Sequence, residues 1–387
     1  MNTVCDIIIP IWNQPDYTRD CIEAIIRNTP TPYKLILVDN ASDDETRSYL
    51  QGLKNRSSLN VEVIRNEENL GFVRAVNQGM SSSRSPYVAI LNNDTIPAPG
   101  WLERMIDFAV AHKDVGLINP RCDGHLDTPI DEYAKSLEKY KGEYMEMNQC
   151  QGFAMLVKRE LVDKIGHLDE AFGIGGYDDT DYSMRAHKAG YRSVAIYDSY
   201  VYHRLHASFD KAGNREEWVR RNQKIYYDKW GKHLRVGVLY SPEGADDKKI
   251  SQLAAFAYGL AREWSWVHIW VNSKDDEVKI KKNIFDALKR CGYPPHQNIR
   301  VDCFNLPKIL LDLTLTGKLV ERIRKRMRDK RFDAIIDTGN SGMMVLEFVA
   351  KPLKVQMLNL SLDIISDSPE KAGRRIAQSI KENRGKR

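Results

Sequence analysis

The sequence predicts an α/β protein in two parts, each a sheet with helices on both faces, and three observations carry this. Short β-branched runs alternate with helical patterns from the first residues, and the alternation restarts after Gly231-Lys232-His233. No apolar run approaches the roughly 18 residues needed to cross a bilayer.

A strand over 6–9 opens the chain with three consecutive isoleucines, and Pro15 suits the first turn of a helix over 15–28, where its missing N–H needs no partner. A strand over 34–38, a helix over 43–54, a strand over 61–64, a helix over 71–81 and a strand over 87–91 complete a βαβαβαβ pattern. That pattern predicts a parallel sheet whose right-handed crossovers gather the strand C-termini along one ligand-binding edge. The loops of that edge are polar: Trp12-Asn13-Gln14, Asp39 to Asp43, Asn66 to Asn69, and Asn92-Asn93-Asp94. A helix over 101–112 and a strand over 115–119 follow. The polar, aperiodic stretch 121–149 is then long enough to read as a functional loop or lid. A strand over 153–157, a helix over 178–189, strands over 193–195 and 200–202 and a helix over 216–230 finish the first part. The second, 233–387, begins with a strand over 235–240 and a helix over 249–263. Further strands over 267–271, 299–303, 334–337 and 355–359 make it a smaller, Rossmann-like unit.

With 387 residues, 42% of them hydrophobic and 29% charged, the chain has the proportions of a folded globular protein large enough for two cores. No basic region precedes an apolar stretch at the N-terminus, which predicts no secretory signal and a cytoplasmic location. Six cysteines at wide intervals, without a CxxC pair, argue against a zinc cage or a disulfide framework and read as reduced, mostly buried small apolar residues. The net charge of +5 conceals an asymmetry: residues 1–233 carry 29 basic and 34 acidic side chains, and residues 234–387 carry 29 and 19. The second part is thus basic enough to meet an anionic surface.

The sharpest chemical signal is Asp178-Asp179-Thr180-Asp181 after Gly173, Gly175 and Gly176. Three clustered carboxylates repel one another unless a helix dipole, solvent or a cation offsets them. An N-cap with an acidic first turn is the plain alternative, but the glycines let the backbone aim a carboxylate into a cleft. Asn92-Asn93-Asp94 ends an apolar strand, where Asp94 suits a divalent cation or a simple Asx turn equally. Asp39 ends a similar strand, with Asp43 and Asp44 placed to cap the next helix. His203, with His206 nearby, is by itself more often structural than a ligand, yet beside an oxygen-bound cation an imidazole favours Mn2+ over Mg2+. The basic positions Lys318 to Lys330 and Lys371 to Arg387 read as solvated helix faces or as a contact with anionic lipid or a phosphate-bearing acceptor. No interleaving of aromatic and basic residues speaks for nucleic acid.

Five motifs stand in order. They are Asp6-Ile-Ile-Ile-Pro-Ile-Trp-Asn13, Leu37-Val-Asp-Asn-Ala-Ser-Asp-Asp44, Asn69-Leu-Gly-Phe-Val-Arg-Ala-Val-Asn-Gln-Gly79, Leu91-Asn-Asn-Asp-Thr95 and Tyr177-Asp-Asp-Thr-Asp-Tyr-Ser-Met-Arg185. Together they resemble the inverting family 2 glycosyltransferases of the GT-A fold, a mixed Rossmann-like sheet with helices on both faces. The acidic motif resembles its form in galactofuranosyl and rhamnosyl transferases. The resemblance implies a GT-A domain over 1–232 that moves a sugar from a nucleoside diphosphate donor, expected to be UDP-linked, to a hydroxyl of a glycan, lipid-linked or other acceptor. It implies that Asp39 holds the base, that Pro10, Trp12, Asn13 and Arg74 surround it, and that Asn93 faces the ribose. Asp94 and His203 would hold Mn2+ or Mg2+, Asp179 would be the general base, and Asp178 and Asp181 would orient the acceptor or the loop. Asn92 and Asn93 stand where many members carry carboxylates. Two rivals remain at this point: a nucleotidyltransferase, which would need a basic Gly-rich phosphate loop that Ile11-Trp-Asn-Gln-Pro15 does not supply, and a non-catalytic sugar-nucleotide-binding or assembly subunit.

Overall fold

The computed structural model describes residues 3–122, 127–204, 215–241, 247–324, 330–339, 343–362 and 368–385. His206, Lys325, Arg326, Arg328, Lys386 and Arg387 lie outside them. The chain divides into two compact units, Met1–Gly231 and Lys232–Arg387. Among the described residues no helix is long and apolar enough to cross a membrane.

The first unit begins β1 (Cys5–Ile11), α1 (Pro15–Asn28), β2 (Tyr33–Asn40), α2 (Asp44–Lys54), β3 (Val61–Asn66), α3 (Phe72–Ser82) and β4 (Tyr87–Leu91). Pro15 opens α1, and the Asp43 carboxylate caps α2 by accepting from the Thr46 amide at 2.9 Å. Alternate strand residues feed two cores. Ile7, Ile9, Leu35, Leu37, Ala89 and Leu91 pack against Ile22, Ile25 and Leu50 of α1 and α2, whereas Ile8, Ile36, Val38, Val88 and Ile90 pack against Val73, Val76 and Met80 of α3. This is why β1 reads as a continuous apolar run.

The chain continues β5 (Thr95–Pro97), α4 (Trp101–Ala111), β6 (Val115–Arg121), α5 (Ile130–Ser136), β7 (Tyr144–Met147), β8 (Ala154–Lys158), α6 (Arg159–Ile165), α7 (Asp178–Lys188), β9 (Arg192–His203) and α8 (Arg215–Trp230). The sheet order is β3-β2-β1-β4-β8-β6-β9-β5, with β7 paired to β9. β1 to β4 are parallel, but β8 enters antiparallel between β4 and β6. The sheet is therefore mixed, as the family resemblance implied; the βαβαβαβ pattern by itself gave only its parallel part, because a doubly buried strand carries the same apolar run in either direction. The stretch 121–149 is not simply a loop: α5 and β7 lie within it, and Ala134 and Leu137 form a small core with Tyr200. Its few apolar positions leave too weak a period to read. The two short strands expected over 193–202 are one, β9, whose polar Asp198 and Ser199 are buried.

The second unit runs β10 (Arg235–Tyr240), α9 (Asp247–Arg262), β11 (Trp266–Asn272), α10 (Glu277–Arg290), β12 (Ile299–Phe304), α11 (Lys308–Arg324), β13 (Ala334–Asp337), α12 (Met344–Ala350), β14 (Gln356–Asn359) and α13 (Pro369–Gly385). All strand pairs are parallel in the order β12-β11-β10-β13-β14, the doubly wound arrangement in which the order reverses beside the first strand. Helix α9 is buried from Gln252 to Ala261 because α13 crosses it at two glycines. A Cβ on Gly259 would strike the Glu370 carbonyl, and one on Gly373 the Phe256 carbonyl. Gly373→Val is accordingly expected to destabilise this unit by about 3 kcal/mol or more, read as an earlier urea transition in full-length protein. An unchanged midpoint would mean that the helices separate at no cost.

Three of the basic positions of α13 pair within the unit, Arg374 with Glu370 at 2.6 Å, Lys381 with Glu263 at 3.7 Å and Arg384 with Asp333 at 3.3 Å, while Lys371 and Arg375 are exposed. Of the six cysteines only Cys5, Cys21 and Cys150 are buried; Cys122 and Cys303 are partly buried and Cys291 is exposed.

Candidate active site

The strand C-termini of the first sheet surround a cleft of about 360 Å³. Among the described residues of this unit four non-glycine residues take positive φ, and all four lie in its loops: Asn13 and Gln14 after β1, Ala41 after β2, and Tyr177 before α7. Such conformations persist only where the surroundings over-determine them. Those surroundings are visible. The Asn13 amide donates to Ser42 Oγ at 2.9 Å and its side-chain oxygen accepts from the Asp43 amide at 2.8 Å, joining the first two loops. Asn40 donates to Asn69 Oδ1 at 2.8 Å and accepts from Asn66 and the Leu70 amide at 3.0 Å, while Asn66 and Gln78 exchange amide hydrogen bonds. This network seats Asn69-Leu70-Gly71 at the head of α3.

One wall of the cleft is Pro10, Ile11 and Trp12. Asp39 is not part of the lining. It is buried, with Oδ1 accepting from the Ser42 amide at 2.9 Å and Oδ2 paired with Arg65 at 2.5 Å. Arg74 is also set apart, paired on the surface with Glu170 at 3.2 Å.

A second corner holds Asn92, Asn93, Asp94 and His203. Pairing of β5 with β9 puts Thr95 opposite His203, which brings Asp94 and His203, 109 positions apart in sequence, into contact. Asp94 Oδ1 lies 3.2 Å from His203 Nε2, yet this buried oxygen makes no hydrogen bond, and neither does the buried Oδ1 of Asn92. Unpartnered buried oxygens, one of them facing an imidazole, are costly unless something else satisfies them, and a divalent cation fits that need. Among the described residues no group of three or more His, Cys, Asp or Glu side chains gathers for a metal. Further ligands would thus come from water or a bound phosphate, as is usual for Mg2+-like ions. His203 is held flat against Phe153, ring centroids 5.0 Å apart, and Asn93 donates to Thr18 Oγ1 at 3.0 Å.

The third corner is the N-terminus of α7. Gly173, Gly175 and Gly176 all have positive φ, and two asparagines hold this loop. Asn77 exchanges hydrogen bonds with the backbone of Leu168, and the wholly buried Asn222 of α8 donates to the Phe172 and Gly175 carbonyls at 2.8 and 2.9 Å. Asp178 Oδ1 accepts from the Gly176 amide at 2.7 Å. Asp179 accepts from the Thr180 amide at 2.7 Å and from the Gly152 amide at 3.2 Å. Both carboxylates line the cleft. Asp181 turns away: it is buried between Arg185, Lys229 and Trp230 at 2.7 to 2.9 Å, and ties α7 to α8. The fold therefore gathers Pro10, Trp12, Asn93, Asp94, His203, Asp178 and Asp179 around one cavity and leaves Asn13, Asp39, Arg74 and Asp181 in its supports.

Residues 6–166 match the family model described as Glycosyl transferase family 2. The first unit carries a family 2 glycosyltransferase domain. The chain is 24% identical over 202 residues to glycosyltransferase AglE of Haloferax volcanii, covering 50% of this chain but 64% of that one, so it spans less than two thirds of that relative. It is 25% identical over 242 residues to the uncharacterized glycosyltransferase YwdF of Bacillus subtilis, 60% of this chain and 85% of that one. The solved mannosyltransferase PcManGT of Pyrobaculum calidifontis, in complex with GDP-Man and Mn2+, aligns with a TM-score of 0.46 and 16% identity over 92% of this chain and 87% of that one.

Within the glycosyltransferase domain the two lining aspartates share one electrostatic environment. Burial first, and then the neighbouring Asp179 charge, raise Asp178 to about 7, and burial also raises Asp179. Native Asp178 thus keeps a proton that the unfolded chain loses near pH 4, so its protonated form contributes stability that is lost as pH rises from about 4 to about 7. Asp178→Asn is expected to raise the unfolding temperature at pH 8 and to change it little at pH 4. Equal shifts at both pH values would show that Asp178 carries its charge freely in the folded protein.

The sequence did not single out Phe72, Gly152 and Trp218 as lining residues, or Arg65 as the partner of Asp39. Only Trp218 offered a signal, as an aromatic on a largely polar helix. The others depend on contacts between distant segments.

Proposed function

We propose that the glycosyltransferase domain transfers a sugar from a nucleoside diphosphate donor to an acceptor hydroxyl, with inversion and with help from a divalent cation. The observation that carries this is the meeting, in one cleft, of the unpartnered Asp94–His203 pair with the Asp178–Asp179 pair. Pro10, Ile11 and Trp12 form an apolar wall suited to the flat face of a nucleoside base. Asp94 and His203, with Asn92 close by, would hold Mn2+ or Mg2+, which when bound would offset the charge of the departing diphosphate. An imidazole ligand favours Mn2+.

Asp179 is the proposed base. An acceptor hydroxyl is a weak nucleophile at neutral pH, so a carboxylate must take its proton as the oxygen attacks the anomeric carbon. A single displacement inverts that carbon and needs no covalent intermediate. The Gly152 and Thr180 amides steady the carboxylate in place, while the protonated neighbour Asp178 lowers the repulsion that a second charge would bring. A UDP-linked sugar is the expected donor, and a glycan, lipid-linked or similar hydroxyl the expected acceptor.

Calorimetry with UDP-, GDP- and dTDP-sugars, each with and without Mn2+, tests the reading. Binding of one donor that depends on the metal supports it. If no donor binds under any condition, with or without a simple sugar acceptor, the proposal falls and a non-catalytic role returns.

A further inference from the structure

On the second unit, α11 and α12 turn large apolar side chains toward solvent: Ile309, Leu310 and Leu313 from α11, and Met344, Val345 and Phe348 from α12. Met344 is 79% exposed and Phe348 82%. Helix α11 is apolar on both sides, because Leu311, Leu315 and Leu319 fill the core beneath it together with Trp270, Phe332 and Leu346. The two helices are locked into one platform. Asp312 of α11 is buried and accepts from the Val345 and Leu346 amides at 2.9 and 2.8 Å, capping α12. A contiguous patch of this kind on a folded domain marks an interaction surface rather than incidental exposure.

We propose that this platform seats the protein on an anionic lipid surface. Lys308 and Lys351 stand at the two helix ends, and Arg322 hydrogen-bonds the Lys330 carbonyl at 2.6 Å, bringing the exposed Lys330 and Arg331 beside the C-terminal half of α11. Among the described residues the exposed acids of α11 and α12 are Glu321 and Glu347. An outward apolar face with basic side chains at its margins matches the boundary between acyl chains and phosphate head groups, where apolar residues insert and lysines and arginines meet phosphate. Charge also argues against a second copy as the occupant. Residues 234–387 carry 29 basic and 19 acidic side chains, so two such units would repel, whereas an anionic leaflet attracts. The inference does not depend on the transferase reading.

The test is sedimentation of the full-length chain with sucrose-loaded vesicles, either of phosphatidylcholine alone or enriched in phosphatidylglycerol. Wild type is expected to pellet with the anionic vesicles, and Met344→Asp/Phe348→Asp to lower the partition coefficient by about tenfold or more. Val278→Asp, at an exposed position on α10, serves as the control and should leave it unchanged. Absence of pelleting overturns the proposal, as does pelleting that the double substitution leaves intact. A lipid-free dimer in light scattering that the same pair dissociates would assign the face to a second copy and likewise overturn it. Since no turnover is measured, failure here says nothing about the first unit.

Discussion

Asp179→Asn is expected to lower kcat by about 10²- to 10⁴-fold while leaving affinity for the nucleotide sugar within about twofold. The substitution preserves size and one acceptor oxygen for the Gly152 or Thr180 amide, but removes the site that would receive the acceptor proton. The separation of kcat from donor affinity is the informative part, because a collapse of the α7 loop would disturb both. The pH profile gives a second reading. Burial raises Asp179, so the rate should fall with acid at a pH above the ordinary carboxylate range. Because Asp178 keeps its proton over that limb, Asp178→Asn should leave the acid limb close to where it stands in the unmutated protein. Full activity in Asp179→Asn would remove this residue as the base.

Asp94→Ala is expected to weaken donor binding by about 10²-fold or more in the presence of Mn2+, and chelation of the metal from the unmutated protein should produce the same loss. Stability should move the other way. Asp94 Oδ1 is buried without a hydrogen bond, so deleting it relieves an unsatisfied group, and the unfolding temperature of the ligand-free protein should hold or rise. A structural carboxylate would show the opposite pairing, with lower stability and intact binding. His203→Ala should share the binding loss, since its Nε2 faces the same oxygen at 3.2 Å. Retained, metal-independent binding in both variants would dismiss the cation from the reading.

Much of the fold was written locally. The isoleucines of β1, Pro15 at the head of α1, the Asp43 cap and the restart at Arg235 each fix an element through interactions within a few residues, and these elements appear where the sequence placed them. The ordered motifs likewise located the loops that line the cleft, because a parallel β-α repeat brings all strand C-termini to one edge. What depended on strand direction was not legible. An apolar run does not say whether it runs parallel or antiparallel, so the mixed sheet was expected only through the family resemblance, and the antiparallel place of β8 between β4 and β6 became visible only in three dimensions.

The roles of individual polar residues divided in the same way. Asp39, Asp178, Asp179 and Asp181 are the same kind of side chain near the same edge, yet Asp39 is neutralised by Arg65 and Asp181 by Arg185 and Lys229, while Asp178 and Asp179 face the cavity with raised proton affinity. Residue type and spacing determined that carboxylates would gather at this edge. Tertiary structure decided which of them met a cation and which met open space. That choice arises from contacts between segments tens of residues apart, and those contacts set the desolvation and pairing that govern a buried charge.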